Sequence, residues 1–176
     1  YADFSGVDAI PLVKKYDNLV VVNTFSKSRS LAGARVGYIV AQRELIADIK
    51  LVKNSFHPYN VNTLSMLLAS EAIKDVEYFN GTVSRVVASR KLLTQQLRDL
   101  KFDVLPSDAN FVAAKHCGIG GRELYEKLKK KGVLVRHFSE PRICDYIRIT
   151  VGTDDEIAFL IKKLKEILAE NEKCKA

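Results

Sequence analysis

The chain has 176 residues, 47% of them hydrophobic and 28% charged, with a formal charge of +7. That composition argues against disorder and is enough to bury one sizeable core, or one small domain attached to part of a larger one. No apolar run approaches the ~20 residues that cross a bilayer, the first ten residues lack the pattern of a secretory leader, and no basic strand carries interleaved aromatics for stacking bases. The expected location is therefore the cytoplasm, with neither a membrane nor a nucleic acid as partner.

In chain order, "NLVVVN" (18–23) is rich in β-branched residues and predicts a strand buried on both faces, with "RVGYIVA" (35–41) as a second. The segment 42–54 sets Leu45, Ile46, Ile49 and Val52 at helical spacing. Pro58 interrupts the pattern before a helix over 63–75 and a long one over 76–100. Strands at 102–105, 109–114, 133–136 and 146–150 then alternate with helices at 122–131 and 154–170. This predicts a two-layer α/β unit, an antiparallel or mixed sheet with helices on one face. Asp154 is expected to cap the last helix, whose apolar stripe is Ile157, Leu160, Ile161, Leu164, Ile167 and Leu168. The change of rhythm divides the chain near residue 78. Residues 1–78 read as the tail of a larger α/β domain, and residues 79–176 as a complete small domain that begins in the long helix. The chain starts at Tyr1, not at a methionine, and is expected to be a piece of a longer protein.

The positive charge concentrates in residues 127–132 and 162–175, where in the last helix it interleaves with Glu, the pattern of a solvated helix face. Cys117, Cys144 and Cys174 are odd in number and lack a CxxC spacing, so buried or incidental free thiols are expected, not a zinc site or disulfides. His57, His116 and His137 have neither i, i+4 spacing nor acidic neighbours, and no metal is expected.

The chemistry concentrates in "NTFSKSRSLAGARVGY" (23–38). Thr24, Ser26, Arg35 and the backbone N–H groups beside them are the donors a phosphate dianion needs. Lys27 follows a buried strand, the place where α/β sheets hold ligands. A lysine beside a phosphate site points to a phosphorylated cofactor that the lysine could hold covalently, as in pyridoxal phosphate chemistry.

The stretch "TFSKSRSLAGARVGY" resembles the lysine segment of the class I/II aminotransferases of fold type I, in particular the histidinol-phosphate aminotransferase branch. "YADFSG" at the start, "PSDANFV" (106–112) and "VLVRHF…YIRITVGT" (133–153) resemble further segments of that family in the same order. The resemblance covers essentially the whole chain. It implies that Lys27 carries pyridoxal 5'-phosphate and moves the catalytic proton. Thr24, Ser26 and Arg35 would hold the cofactor phosphate, and Tyr1 would donate to the ring's 3-oxygen. Gly33 and Gly37 would let the backbone turn and pack closely.

Arg148 would grip the α-carboxylate of the amino-acid partner, and Arg136 would lie near the substrate phosphate. Asn110 would be a positioning residue. Tyr59 and Asn60, in "HPYNVN", would either border the site near a subunit interface or simply lead into the next helix, and Arg29 is read as a surface or dimer-contact residue. The implied parent is a homodimer that exchanges an amino group between glutamate and imidazole-acetol phosphate in histidine biosynthesis. A related decarboxylase of threonine phosphate or an aromatic aminotransferase is the alternative within the family. A non-catalytic basic interaction domain is the alternative outside it. The family's aspartate for the pyridine nitrogen and its ring-stacking aromatic have no counterpart in the sequence. The chain by itself is therefore expected to be inactive and, with sheet edges and apolar surface exposed, to self-associate or to be less stable than its parent.

Overall fold

A computed structural model describes residues 1–173, and Cys174 lies outside the described residues. The chain forms two compact units, Tyr1–Val83 and Ser84–Ala176, so the division falls inside a long helix.

The first unit contains α1 (Ala2–Ser5), β1 (Val21–Thr24), β2 (Gly37–Val40), α2 (Arg43–Phe56), α3 (Thr63–Lys74) and the start of α4 (Val76–Asp99). Single 3-10 turns at Ile10–Lys14 and Ala32–Ala34 were not signalled by periodicity. β1 and β2 pair antiparallel, from Val21 opposite Val40 to Thr24 opposite Gly37. A Cβ on Gly37 would stand 2.8 Å from the Asn23 carbonyl oxygen, so this position needs glycine for close strand approach. Gly33 carries no such constraint, since an added Cβ there meets nothing within 4 Å. The left-handed residues of the loop are instead Ser30 and Arg35, both at φ 56°.

The expectation that β1 is buried on both faces is not met. Its residues alternate, and Val22 is 72% exposed, because among the described residues only β2 pairs with the strand and nothing covers that side. Phe4, Val13, Phe25 and Ala69 are the buried apolar residues of this unit. Asn62 caps α3 by accepting the Ser65 N–H at 2.8 Å. Leu51, Phe56, Tyr59, Leu64 and Leu67 on and between α2 and α3 are exposed, as is Val52, the last residue of the expected α2 stripe.

The second unit has the rest of α4, then β3 (Phe102–Val104), β4 (Phe111–His116), α5 (Gly121–Lys130), β5 (Arg136–His137), β6 (Ile147–Thr150) and α6 (Asp154–Lys173). Its four strands form an antiparallel sheet in the order β3-β4-β6-β5. Alternation along each strand sorts the two faces. Phe102, Val104, Val112, Ala114, Ile147 and Ile149 point into one core with Leu93 and Leu97 of α4, Leu124 and Leu128 of α5, and the stripe of α6. The opposite face carries Phe111, Ala113, Lys115 and Arg148, none of them fully buried.

The strand expected at 133–136 is shorter and later. Val133 and Val135 pack against the core while Leu134 is 79% exposed, but the ladder to β6 joins only Arg136 and His137. The cap of α6 is Thr153, not Asp154. The Thr153 N–H donates to Glu156 Oε2 at 2.8 Å, and the Glu156 N–H returns to Thr153 Oγ1 at 3.4 Å, a reciprocal capping box. Asp154 instead accepts the Ser89 hydroxyl at 3.0 Å. Lys131 joins α5 to α6 by bonds to Glu166 and Glu170, and Lys163 holds the Glu166 carboxyl below the usual carboxylate range.

One position in this unit admits no side chain. A Cβ on Gly121, the first residue of α5, would lie 2.5 Å from the Cys144 carbonyl oxygen and 2.7 Å from the Asp145 carbonyl carbon. Both are backbone atoms and cannot rotate away, so Gly121→Ala is expected to destabilise the protein by about 1–3 kcal/mol, read as a lower urea midpoint at unchanged m-value.

Candidate active site

In the first unit three of the candidate residues stand where β1 ends. Thr24 is the last residue of the strand, and Ser26 and Lys27 follow it at once. The Thr24 and Ser26 hydroxyl oxygens are 2.8 Å apart, and the Ser26 N–H donates to Thr24 Oγ1 at 3.1 Å. The single Thr24 hydroxyl proton goes either to the Val36 carbonyl, 3.3 Å away, or to Ser26, and in the second case the Ser26 O–H is free to point at an anion.

The Lys27 ammonium is exposed and makes no hydrogen bond or ion pair among the described residues. Arg35 stands at the far end of the loop, exposed, with one guanidinium nitrogen donating to the Ala32 carbonyl at 2.9 Å. Its left-handed backbone costs roughly 1–3 kcal/mol in a residue with a Cβ, the kind of strain that collects at ligand sites. Residues 23–38 include Lys27, Arg29 and Arg35 but no acidic residue, so the loop's own charge is positive, and the carboxylate that meets it comes from Asp3. Tyr1 precedes α1 and is exposed, with Phe4 of the same turn buried.

Two anchors of this loop escaped the reading of the sequence. Ser28, buried next to Lys27, donates to the Asp3 carboxylate, which ties the lysine loop to α1. Arg29, read as a surface or dimer-contact residue, is half-buried and held within its own unit. Its guanidinium lies 3.8 Å from the Phe79 ring centroid and bonds the Ala72 carbonyl, so it fastens the loop to the end of α3 and the start of α4. A cleft of about 280 Å³ lined by Asp3, Asn23, Thr24, Phe25, Arg29, Tyr38 and Ile73 adjoins these anchors. Tyr59 and Asn60 lie in the exposed link between α2 and α3.

In the second unit the structure brings two candidates together. Arg136 on β5 and Arg148 on β6 are directly opposed partners in the ladder. Ile147 and Ile149 are buried on the helix side, so Arg148 projects from the open face of the sheet. Neither arginine has a carboxylate within ion-pair distance among the described residues, and Arg148 Nε is buried without a hydrogen-bond partner. Like charges directly opposed across strands destabilise the pair unless something anionic joins them. On the same face Tyr146 and then Asp103 keep Lys115 protonated, its pKa raised.

Asn110 precedes β4, and its carbonyl accepts the Val151 N–H at 2.9 Å. The loop before it is gripped by a residue the sequence did not single out. Buried Arg90 of α4 donates to the Ala109 carbonyl at 2.7 Å and faces Asp108 at 3.5 Å. Of the cysteines, Cys117 is exposed and Cys144 half-buried, both as free thiols. No helix among the described residues is long and apolar enough to cross a membrane.

An antiparallel four-stranded sheet with helices on one face, preceded by a strand–loop–strand unit, is the C-terminal half of the fold-type-I aminotransferases that depend on pyridoxal phosphate. A histidinol-phosphate aminotransferase from Sinorhizobium meliloti, solved in complex with pyridoxal-5'-phosphate, shares this architecture at a TM-score of 0.84 and 25% identity, over 97% of this chain and 47% of that one. The chain belongs to the class I and II aminotransferase family, which matches residues 1–164. It is 51% identical over 168 residues to histidinol-phosphate aminotransferase 2 of Rhizobium meliloti, and 49% identical to histidinol-phosphate aminotransferase 1 of Bradyrhizobium diazoefficiens. In both cases 96% of this chain aligns with 48% of the relative, so the chain spans about half the length of the curated relatives it matches.

Proposed function

We propose that this chain supplies the lysine and the substrate arginines of a histidinol-phosphate aminotransferase. The full protein would act as a cytoplasmic homodimer that exchanges an amino group between glutamate and imidazole-acetol phosphate in histidine biosynthesis. Residues 1–78 would be the end of its large, cofactor-binding domain and residues 79–176 its small domain. The observation that carries the substrate reading is the opposed pair Arg136 and Arg148, two guanidiniums without an acidic partner among the described residues. Such a pair suits substrates that end in a carboxylate or a phosphate.

The lysine loop carries groups that suit the cofactor: one primary amine and two hydroxyls where β1 ends and a guanidinium at the loop's far end, while the nearby Asp3 carboxylate is engaged by the Ser28 hydroxyl. When bound, pyridoxal phosphate supplies an aldehyde for the amine and a ring that withdraws electrons from the substrate α-carbon. Lys27 Nζ would hold that aldehyde and, once displaced by the substrate amine, carry the proton between the α-carbon and the cofactor C4′. Thr24, Ser26 and Arg35 would bind the phosphate. The Tyr1 phenol would donate to the 3-oxygen. Arg148 would hold the carboxylate of glutamate with its planar fork, Arg136 would meet the phosphate of the other substrate, and Asn110 would help to position it.

Steady-state assays of the full-length protein with histidinol phosphate, phenylalanine and threonine phosphate test the reading. Turnover with histidinol phosphate is expected to have a kcat/KM at least about a hundredfold above that with phenylalanine, which leaves the guanidinium meant for a phosphate unpaired, and threonine phosphate is expected to give no carbon dioxide. Equal or faster turnover of phenylalanine, or release of carbon dioxide from threonine phosphate, would overturn it.

A further inference from the structure

We propose that Phe138 is the positioning residue of the arginine pair: one ring contacts both guanidiniums without neutralising either. The proposal rests on the reading of Arg136 and Arg148 as the substrate-anion site. Phe138 follows β5, two residues after Arg136, so both side chains leave the extended backbone on the same side. The Arg136 guanidinium carbon lies 5.4 Å from the Phe138 ring centroid and that of Arg148 lies 5.8 Å from it. Phe111 reaches Arg148 from β4 at 5.1 Å.

The choice of a ring over a carboxylate has a chemical consequence. A carboxylate between the guanidiniums would relieve their repulsion, but it would occupy the N–H donors and cancel the charge that an anionic substrate must find. An aromatic face attracts both cations through its quadrupole and takes up no hydrogen-bond donor. The pairing also restricts two side chains that each carry about 2 kcal/mol of rotamer entropy when free, so part of the ordering cost is met before substrate arrives.

The test compares Phe138→Leu and Phe138→Trp with Arg136→Ala and Arg148→Ala in the full-length protein, following KM and kcat for glutamate and for the phosphorylated substrate. Phe138→Leu should raise KM for both substrates about two- to fivefold, the range a cation–π contact at a solvent-accessible site supports. It should leave kcat within about twofold and the melting temperature unchanged, and Phe138→Trp should restore KM. A Phe138→Leu enzyme with wild-type KM, or a Trp variant that fails to restore it, overturns the proposal while the arginine variants still raise KM. If the arginine variants leave KM unchanged, the reading of the pair as the anion site fails, and this proposal with it.

Discussion

Lys27→Ala in the full-length protein is expected to lower turnover by at least about 10⁴-fold, the upper range for removing a positioned acid–base group, and to abolish covalent attachment of pyridoxal phosphate. The loop offers no substitute. The cations that flank Lys27 are Arg29 and Arg35, and a guanidinium does not deprotonate in a protein, so neither can attack an aldehyde or carry a proton. Arg29 is in addition committed to Phe79 and the Ala72 carbonyl. The measurement is a visible absorbance band on adding the cofactor, borohydride reduction, and mapping of the reduced adduct by peptide mass. Wild-type protein should carry the label on Lys27. A variant that keeps more than about one hundredth of wild-type turnover, or a label on another lysine, would place the chemistry elsewhere, because loss of a nucleophile that also moves the proton removes two functions at once.

Arg148→Ala should raise KM for glutamate on the order of a hundredfold, as expected when two charge-assisted hydrogen bonds are lost. Arg148→Lys should recover little of it, since an ammonium cannot present two parallel donors to a carboxylate. Because no carboxylate among the described residues depends on Arg148, its removal strands no buried charge, and the lost contacts with Phe111 and Phe138 are offset in part by relief of the repulsion from Arg136, so the protein should still fold. Arg136→Ala should act mainly on the phosphorylated substrate. A glutamate KM within about threefold of wild type in Arg148→Ala would remove this arginine from the carboxylate site, since even one hydrogen bond to a charged group is worth more.

Local information accounts for much of the fold. Helices α2, α3, α4, α5 and α6 start within a residue of their expected positions, because a 3.6-residue apolar period and turn signals such as Pro58 are written in consecutive residues. The capping box of α6 was also legible as Thr153 followed three residues later by Glu156, yet Asp154 drew the assignment because it is the stronger-looking cap by type alone. The strands were harder to place. Val133 and Val135 alternate as a strand should, but a strand is defined by its neighbour, and β6 offers ladder partners only to Arg136 and His137.

For the candidate site, the residue types that carry chemistry stood out in the sequence, while the groups that hold them did not. Asp3 meets Ser28 across 25 positions, Arg29 meets Ala72 across 43, and Arg90 reaches Ala109 across 19. Phe138 left a faint signal, since its two-residue spacing from Arg136 puts both on one side of an extended chain.

By itself the sequence determined the class of chain and the helices, and it made Lys27, Arg35 and Arg148 candidates, because periodicity and motif chemistry reside in neighbouring positions. The tertiary structure alone decided that Arg136 stands directly opposite Arg148, that one ring serves both, and that the lysine loop is fastened through Ser28 and Arg29. Register and side-chain contact depend on which distant segments the shared core brings side by side, and that is a property of the packed chain, not of any stretch of it.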